Sequence, residues 1–319
     1  MIALVALLQP LAVALGAPLV LGLTRQVRAR LEGRVGAGVG QPWRDLRKLA
    51  GKQRVRPTGT TVVFLAAPVL LGGTTLAAAV IIPLVGVSPL DRAGDLFAVV
   101  GLLLTGTVAL TLAGLDTGTA FGGMGASREV TIAALVEPSI LMAVYALSLP
   151  VHSTSLAAIV TAVSADPGRV ATPAAVLAAV ALGVVVLAET GRLPVDNPAT
   201  HLELTMVHEA MVLEYAGPPL ALLEWAAAMR LTVLLGLLAN LFLPVGLATA
   251  VTGAPSVAAL LVGLAAVAAK VSVLAVVLAA GEVALAKLRL FRVPELLAGS
   301  FVLGMLAVTA SYFLITPTG

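Results

Sequence analysis

Long apolar stretches alternate with short polar connections along most of this 319-residue chain. Eight of these stretches are long enough to cross about 30 Å of hydrocarbon, which takes about 20 helical residues. The pattern therefore predicts an all-α integral membrane protein with about eight transmembrane helices, at residues 2–23, 60–87, 95–115, 128–150, 172–190, 220–246, 255–286 and 295–315. The seventh is long for a simple span, so we expect it to tilt or to project beyond the bilayer.

We find no internal repeat and no separate soluble segment, so residues 1–319 are predicted to form a single polytopic membrane domain. Two polar loops interrupt it, a basic loop at 24–59 and an acidic loop at 189–224. Within the basic loop, residues 43–52 carry an amphipathic pattern with Leu46 and Leu49 on its apolar side. This pattern predicts a short helix lying at the membrane interface.

Lysine and arginine fall mostly on one side of the predicted topology. The basic loop holds ten of the nineteen, whereas the loops of the opposite side contain only Arg92 and Arg169. By the positive-inside rule, the basic and acidic loops face the cytoplasm and both termini lie outside. The basic loop has two interpretations, which both stay open: an anchor for anionic lipid, or a docking surface at the mouth of a cavity.

Composition narrows the chemistry. The chain is 60% hydrophobic and 11% charged, carries a small net charge of +3 and contains no cysteine. Without cysteine it can form no disulfide and no Cys-ligated iron–sulfur cluster. We therefore expect that this chain binds no cofactor itself and that any redox centre lies in a partner. We also expect no nucleic-acid partner.

The acidic loop contains six of the 16 Asp and Glu residues of the whole chain. Carboxylates at the edge of a membrane are costly and usually mark ion or proton paths. Residues 200–215 have helical potential, and the loop also contains His201 and His208, but no HExxH motif, so we expect no metal site. The six carboxylates of the loop are Glu189, Asp196, Glu203, Glu209, Glu214 and Glu224.

Further charges are predicted inside the spans. Glu129 lies near the start of the fourth span, and Glu137 lies about 12 Å deeper along the helix. A hydrogen-bonded glutamate held for packing and a proton relay both fit this pair. Lys270 and Glu282 are twelve residues apart and cannot pair directly, and Arg230 lies in the sixth span. These buried charges fit either neutralisation of other charges or an ion path.

Motifs for independent catalysis are absent. The chain has no G-x-S-x-G sequence, no Rossmann glycine fingerprint and no phosphate-binding loop. We therefore expect no redox or hydrolytic chemistry from this chain alone.

Four segments carry a resemblance to a known family. The chain resembles the membrane subunit (subunit 4) of formate hydrogenlyase and of related membrane-bound nickel–iron hydrogenases, which is similar in turn to the H-type membrane subunit of respiratory complex I, an NADH–quinone oxidoreductase. The match covers nearly the whole chain. The segments are GRVGAGVGQPWRDLRKL (33–49), ASREVTIAALVEPSILMA (126–143), AETGRLPVDNPATHLELTMVHEAMVLEYAG (188–217) and AKLRLFRVPELL (286–297).

Departures from the complex I pattern favour the hydrogenase branch. The complex I pattern has Phe after the first proline of the acidic loop, where this chain has Val195, and an acidic residue after the second, where it has Ala199. It also has Ser where this chain has Ala216, and an Asn in the first glycine run that is missing here. These differences argue against a well-formed quinone site.

The resemblance implies a scaffold that joins a cytoplasmic redox arm to antiporter-like membrane subunits. The expected partners are hydrogenase-like large and small subunits and iron–sulfur subunits, carrying iron–sulfur clusters and, in the hydrogenase branch, nickel–iron. It also implies a bacterial or archaeal cytoplasmic (inner) membrane. Carried over by position, the coupling carboxylates are Glu129, Glu137, Glu189, Asp196, Glu203, Glu209, Glu214 and Glu224, with Glu282 weaker. The residues expected at the arm or the cavity mouth are Arg34, Asp45, Lys48, Arg289 and Arg292.

Three functions compete at this point. The leading hypothesis is a subunit of an oxidoreductase complex that has no redox centre and couples electron transfer to proton or ion translocation. In it, reduction of the arm changes the field near Glu203 and Glu214, and protons move along the buried carboxylates. The alternatives are the H-type membrane subunit of a quinone reductase, with a quinone cavity, and a stand-alone secondary transporter, which the span number and buried charges alone support.

Overall fold

The computed structural model describes residues 2–87, 94–196, 206–248, 256–285 and 292–315. Within these residues the chain folds into eleven α-helices and contains no β-strand. Two short 3₁₀ turns, Leu149–Val151 and Pro167–Ala171, flank the sixth helix. The helices are α1 Ile2–Leu31, α2 Gln41–Ala50, α3 Val62–Ile81, α4 Leu96–Asp116, α5 Ala120–Ser148, α6 Leu156–Ala165, α7 Pro173–Glu189, α8 His208–Val212, α9 Pro218–Phe242, α10 Val257–Ala284 and α11 Val293–Ile315.

Seven of these helices are long and apolar enough to cross a membrane: α1, α3, α4, α5, α9, α10 and α11. Helix α7, an apolar helix of 17 residues that ends at Glu189, coincides with the remaining predicted span. The prediction of an all-α membrane protein with about eight spans is therefore confirmed. Helix α6 has ten residues and was not predicted, because a short apolar run between two polar turns is ambiguous in a sequence.

Polar side chains cap the beginnings of several spans. The hydroxyl of Thr119 accepts a hydrogen bond from the backbone N–H of Gly122, so α5 begins at Ala120. The sequence placed this start at residue 128, because the glycines and polar residues before it are typical of a loop. Glu129 consequently lies nine residues into the helix rather than near its start, which is about 14 Å along the axis.

The amphipathic helix of the basic loop is confirmed as α2, although it begins two residues earlier than predicted. The segment that precedes it folds back onto α1. A side chain at Gly22 would place its Cβ 1.9 Å from the carbonyl oxygen of Val39, so only glycine permits this approach. The side chain of Gln26 holds the segment by accepting from the N–H of Gly38 (2.8 Å) and donating to the carbonyl of Val35 (2.9 Å).

Helix α9 is the centre of the bundle and packs against α1, α2, α3, α7 and α10. In the most apolar 18-residue stretch of α9, 72% of the residues are buried, whereas the corresponding stretch of α10 is 22% buried. Helix α5 packs separately against α4, α7 and α11. The end of the bundle that carries the basic loop is called the basic end here; the start of α9 lies at this end, where Gly217 approaches the carbonyl of Gln53.

Neutral amides hold the opposite end. The fully buried Gln9 of α1 accepts hydrogen bonds at Oε1 from the backbone N–H groups of Leu84 (2.9 Å), Val85 (2.9 Å) and Gly86 (3.4 Å). Asn240 of α9 donates to the carbonyls of Pro83 and Leu84. Both side chains satisfy backbone groups of the turn after α3 that the surrounding helices bury.

The structure corrects the predicted helix at 200–215. Residues 197–205, which include Glu203 and His201, lie outside the described residues. Within 206–215 the only helix is α8, a single short turn of five residues. Within 206–215 the sequence pattern overestimated the helical length, because apolar residues that face a neighbouring helix resemble a helical stripe.

Replacing Gln9 by Leu should destabilise the protein strongly. The change leaves the buried N–H groups of Leu84 and Val85 without an acceptor, at about 1–3 kcal/mol for each unsatisfied group. We expect a lower midpoint of thermal unfolding in mild detergent for Gln9→Leu and no change for Gln53→Leu, whose side chain is exposed. A midpoint equal to wild type for Gln9→Leu would contradict the assigned hydrogen bonds.

Candidate functional site

A cavity of about 510 Å³ lies between α1, α4, α5, α7, α9 and α10 at the basic end. It gathers side chains that are up to 261 positions apart in the chain, from Leu21 to Glu282. Six of the Asp and Glu residues that the structure describes line this cavity, together with five arginines and a histidine. These residues are Glu129, Glu189, Asp196, Glu209, Glu224, Glu282, Arg25, Arg28, Arg34, Arg192, Arg230 and His208.

Helix α8 brings the second half of the acidic loop into the cavity wall. Its buried Met211 packs against two glycines, Gly114 of α4 and Gly125 of α5, where a Cβ would lie 3.1 and 3.0 Å from the Met211 Cγ. Arg128 of α5 fixes the entry to the helix by donating to the carbonyl of Met206 (2.8 Å). This docking places His208 and Glu209 at the cavity.

An ion pair between Arg230 and Glu189 forms the inner end of the cavity. The side chains are only 9% and 5% exposed. The same guanidinium nitrogen donates to the hydroxyl of Thr107 (2.7 Å) and to the carbonyl of Leu103 (3.1 Å), both on α4. Arg230 thus joins α4, α7 and α9, and the pair satisfies two charges that would be very costly if buried singly.

Two further carboxylates lie within the electrostatic reach of Arg230. These are Glu129 and, deeper on α5, Glu137. Glu137 is not part of the cavity lining, and its Oε2 atom is buried without a hydrogen-bond partner among the described residues. One guanidinium is therefore surrounded by three carboxyl groups, of which only Glu189 contacts it directly.

The mouth of the cavity is held by a second set of ion pairs. Glu282 of α10, with a side chain 2% exposed, lies 3.1 Å from Arg192 and 3.6 Å from Arg28. Burial lowers the pKa of Arg192, and the charge of Glu282 opposes that shift. Glu32 continues the set by pairing with Arg28 (2.8 Å) and Arg34, and these two arginines hold its pKa below the ordinary value.

Not every predicted site residue lies at this cavity. Glu214 is exposed and does not line it, while Glu203 and Arg289 lie outside the described residues. Lys48 and Arg292 are exposed on the surface. Asp45 lines a smaller cavity of about 250 Å³ between α1, α2 and α9, which adjoins the charged one through shared residues such as Arg25, Leu21, Ala228 and Glu224.

Lys270 lies elsewhere, at the end of α9 away from the cavity. Its ammonium donates to Oδ1 of Asn240 (2.5 Å) and to the carbonyls of Leu243 and Val245 (both 3.1 Å). These three bonds use all the donors of a lysine. A cation at the C-terminal end of a helix is also favoured by the helix dipole. As expected from the spacing, Lys270 and Glu282 do not pair.

Sequence reasoning missed several residues of the cavity, including Arg25, Arg28, Arg192 and Thr107. The arginines were counted only as determinants of orientation. Arg192 could have been found, because it follows Glu189 within the acidic loop. Thr107 gave no signal, since a threonine in an apolar span ordinarily bonds to its own helix.

The fold and the cavity define a multi-pass membrane protein with a buried charged site open toward one end of its helix bundle. Residues 2–313 match the NADH dehydrogenase family, and the chain belongs to that family. Its relatives include formate hydrogenlyase subunit 4 of Escherichia coli, 34% identical over 94% of this chain and 96% of that protein. Hydrogenase-4 component C of the same organism is 37% identical over 72% of this chain and 71% of that protein.

A solved structure shares the fold. A chain of the membrane-bound sulfane sulfur reductase, an archaeal respiratory membrane complex, aligns with a TM-score of 0.79 and 21% identity, covering 97% of this chain and 99% of that chain. Together with the family match, these findings confirm the resemblance that the four sequence segments indicated.

Removing one member of the buried pair should cost more than removing both. Arg230→Met leaves Glu189 buried without its counter-charge, at about 3–5 kcal/mol. The double variant Arg230→Met/Glu189→Met removes both charges and should recover most of the loss, which is measured by the midpoint of thermal unfolding. A double variant as unstable as Arg230→Met alone would show that the two side chains are not coupled.

Glu209 should make stability depend on pH. Burial raises its pKa; the charge of His208 opposes the rise, and Glu224 and Asp196 add to it. The folded state therefore binds the proton more tightly than the unfolded chain. The stabilisation is complete below the ordinary pKa of about 4.3 and is lost as pH rises through the folded-state pKa.

Glu209→Gln removes this titration. We expect its thermal midpoint to exceed that of wild type increasingly above about pH 4.3, and then by a constant amount once the folded-state pKa is passed. Glu295→Gln, an exposed change on α11, is the control. A difference between Glu209→Gln and wild type that grows toward low pH would contradict the raised pKa.

Proposed function

We propose that this chain is the non-redox membrane subunit of a hydrogenase-type, formate hydrogenlyase-like complex, and that it couples electron transfer to the movement of protons or other ions. The observation that supports the proposal most is the convergence of six carboxylates on one cavity next to the buried Arg230. Similarity to formate hydrogenlyase subunit 4 over nearly its full length supports the class of complex.

The chemistry follows from how the charges are shared. Glu129, Glu137 and Glu189 lie near a single guanidinium, so the ionisation state of each depends on that of the others. A change of charge at the mouth of the cavity redistributes protons within such a set, because nearby charges alter the free energy of ionisation. Protons enter among Glu209, His208 and Glu224, pass to Glu189 and Glu129, and reach Glu137.

The mouth links this set to the redox arm. Arg34 lines the cavity and belongs to the ion-pair set that contains Glu282. In the proposal, the redox arm docks on Arg34, Asp45 and Lys48 of the basic loop and on Arg289 and Arg292, and it changes the field at this point when it is reduced. Asp196, Glu203 and Glu214 remain predicted coupling residues.

The proposed partners are those that the family resemblance implies, and the similarity to formate hydrogenlyase subunit 4 supports them. Large, small and iron–sulfur subunits carry the iron–sulfur clusters and nickel–iron, and antiporter-like subunits complete the ion path within a bacterial or archaeal cytoplasmic membrane. Both termini lie outside in this arrangement.

Glu137→Gln tests the coupling. The change keeps the shape of the side chain and breaks no ion pair, so the complex should assemble, whereas a proton relay through Glu137 is lost. We expect ion transport per electron to fall by on the order of tenfold or more in proteoliposomes that contain the whole complex. Transport is measured with a pH-sensitive dye, and electron transfer is measured in parallel.

Glu295→Gln is the matched control, because it removes one exposed carboxylate outside the cavity. Nickel, iron and flavin are quantified in each preparation. Nickel with abundant iron supports the proposed partners, whereas flavin without nickel, together with sensitivity to quinone-site inhibitors, favours a quinone reductase. Wild-type transport per electron in Glu137→Gln would refute the relay.

A further inference from the structure

A surface groove of about 650 Å³ runs between α2 and the first turns of α9. It shares no lining residue with the charged cavity. Its walls are apolar and include Leu46 of α2 and Leu222 of α9, and its edge carries Arg44 and Arg47. This combination of an apolar trough and adjacent positive charge is not used by the coupling mechanism.

Two tryptophans shape the groove. Trp43 of α2 and Trp225 of α9 are the only tryptophans in the chain, and their ring centroids lie 6.3 Å apart at 55°. Trp225 is held in place because its indole N–H donates to the carbonyl of Ala14 on α1 (2.7 Å). Tryptophan is enriched where a membrane protein crosses from hydrocarbon to headgroups, since the ring is apolar and its N–H is polar.

The two arginines supply uncompensated positive charge. Arg44 and Arg47 are three residues apart, so they lie on the same face of α2. Both are exposed, and neither guanidinium group makes an ion pair or a hydrogen bond with another described residue. The carboxylate between them in sequence, Asp45, accepts from the side chain of Gln41 (2.9 Å) and lines the smaller cavity instead.

The position of the groove fits the headgroup region of a bilayer. Helix α9 begins at Pro218, which lines the groove, and α2 is an amphipathic helix beside it. Acyl chains of a lipid in the neighbouring leaflet can therefore enter the groove from the hydrocarbon side. The guanidinium groups at its edge match the geometry of a phosphate, which they bind through paired N–H donors.

We propose that this groove binds one anionic phospholipid, with its phosphate on Arg44 and Arg47 and an acyl chain lying in the apolar trough beside the Trp43–Trp225 pair. Lipid binding at this groove requires only that the chain lies in a membrane. It does not require the proposed coupling role, because the groove is a different surface and lipid binding is measured without turnover.

The test is lipid binding to the purified complex. Complex stripped of lipid in mild detergent is titrated with phosphatidylglycerol, and bound lipid is counted by native mass spectrometry. We expect the double variant Arg44→Gln/Arg47→Gln to bind at least about tenfold more weakly than wild type at this site. Lys52→Gln/Arg54→Gln, which removes two positive charges of the same loop outside the groove, should bind like wild type.

Equal weakening in both double variants would indicate diffuse attraction and overturn the site. Equal binding of zwitterionic phosphatidylcholine would overturn the role of the arginines. Since the chain contains no cysteine, Ala50→Cys in the groove carries a photoreactive group at one defined position of this chain. An adduct with lipid supports the proposal, and an adduct only with a neighbouring subunit overturns it.

Discussion

A charge placed inside a helix bundle in a membrane needs a counter-charge or several hydrogen-bonding groups within reach, and the arrangement of the central helices depends on that constraint. Arg230 lies on the most buried helix, where an unpaired guanidinium would be prohibitively costly. Its contacts with Glu189, Thr107 and Leu103 bring α7 and α4 to α9 at one depth. The packing of the central helices and the position of the carboxylates therefore have a common cause.

The position of the acidic loop depends on a second constraint, which is the close packing of α8 against α4 and α5. A loop rich in carboxylates would ordinarily remain in water, yet this one is drawn onto the bundle by the apolar side chains of α8. Gly114 and Gly125 leave the space that Met211 fills, so the backbone of α8 comes close enough for Glu209 to face the cavity. Tyr215, which stacks on Phe64 at 3.9 Å and donates to its carbonyl (2.7 Å), fixes the exit of the loop.

The fold could be read from the sequence because apolar length and the distribution of arginine are one-dimensional signals. The spans and the helix of the basic loop were predicted for that reason, whereas α6 and the start of α5 depend on local turns and caps. The site was predictable only in part. Scarce carboxylates pointed to Glu129, Glu189 and Glu209, but the pairing of Glu282 with Arg192 and Arg28 joins residues far apart in the chain, and no spacing reveals it.

The depth of the cavity has an electrical consequence. Arg230 lies twelve residues into α9, about 18 Å along a helix that is about 37 Å long. Beyond that depth, among the described residues, the core of the bundle is held by the amides of Gln9 and Asn240 and by the ammonium of Lys270. A polar cavity shortens the insulating layer, so the transmembrane voltage falls mainly across the remaining half. Moving one elementary charge across the whole membrane changes its electrical free energy by about 2.3 kcal/mol per 100 mV, and a charge that moves within this half experiences most of that energy. Glu137, the deepest carboxylate of the set, is therefore the one on which the membrane potential acts most strongly.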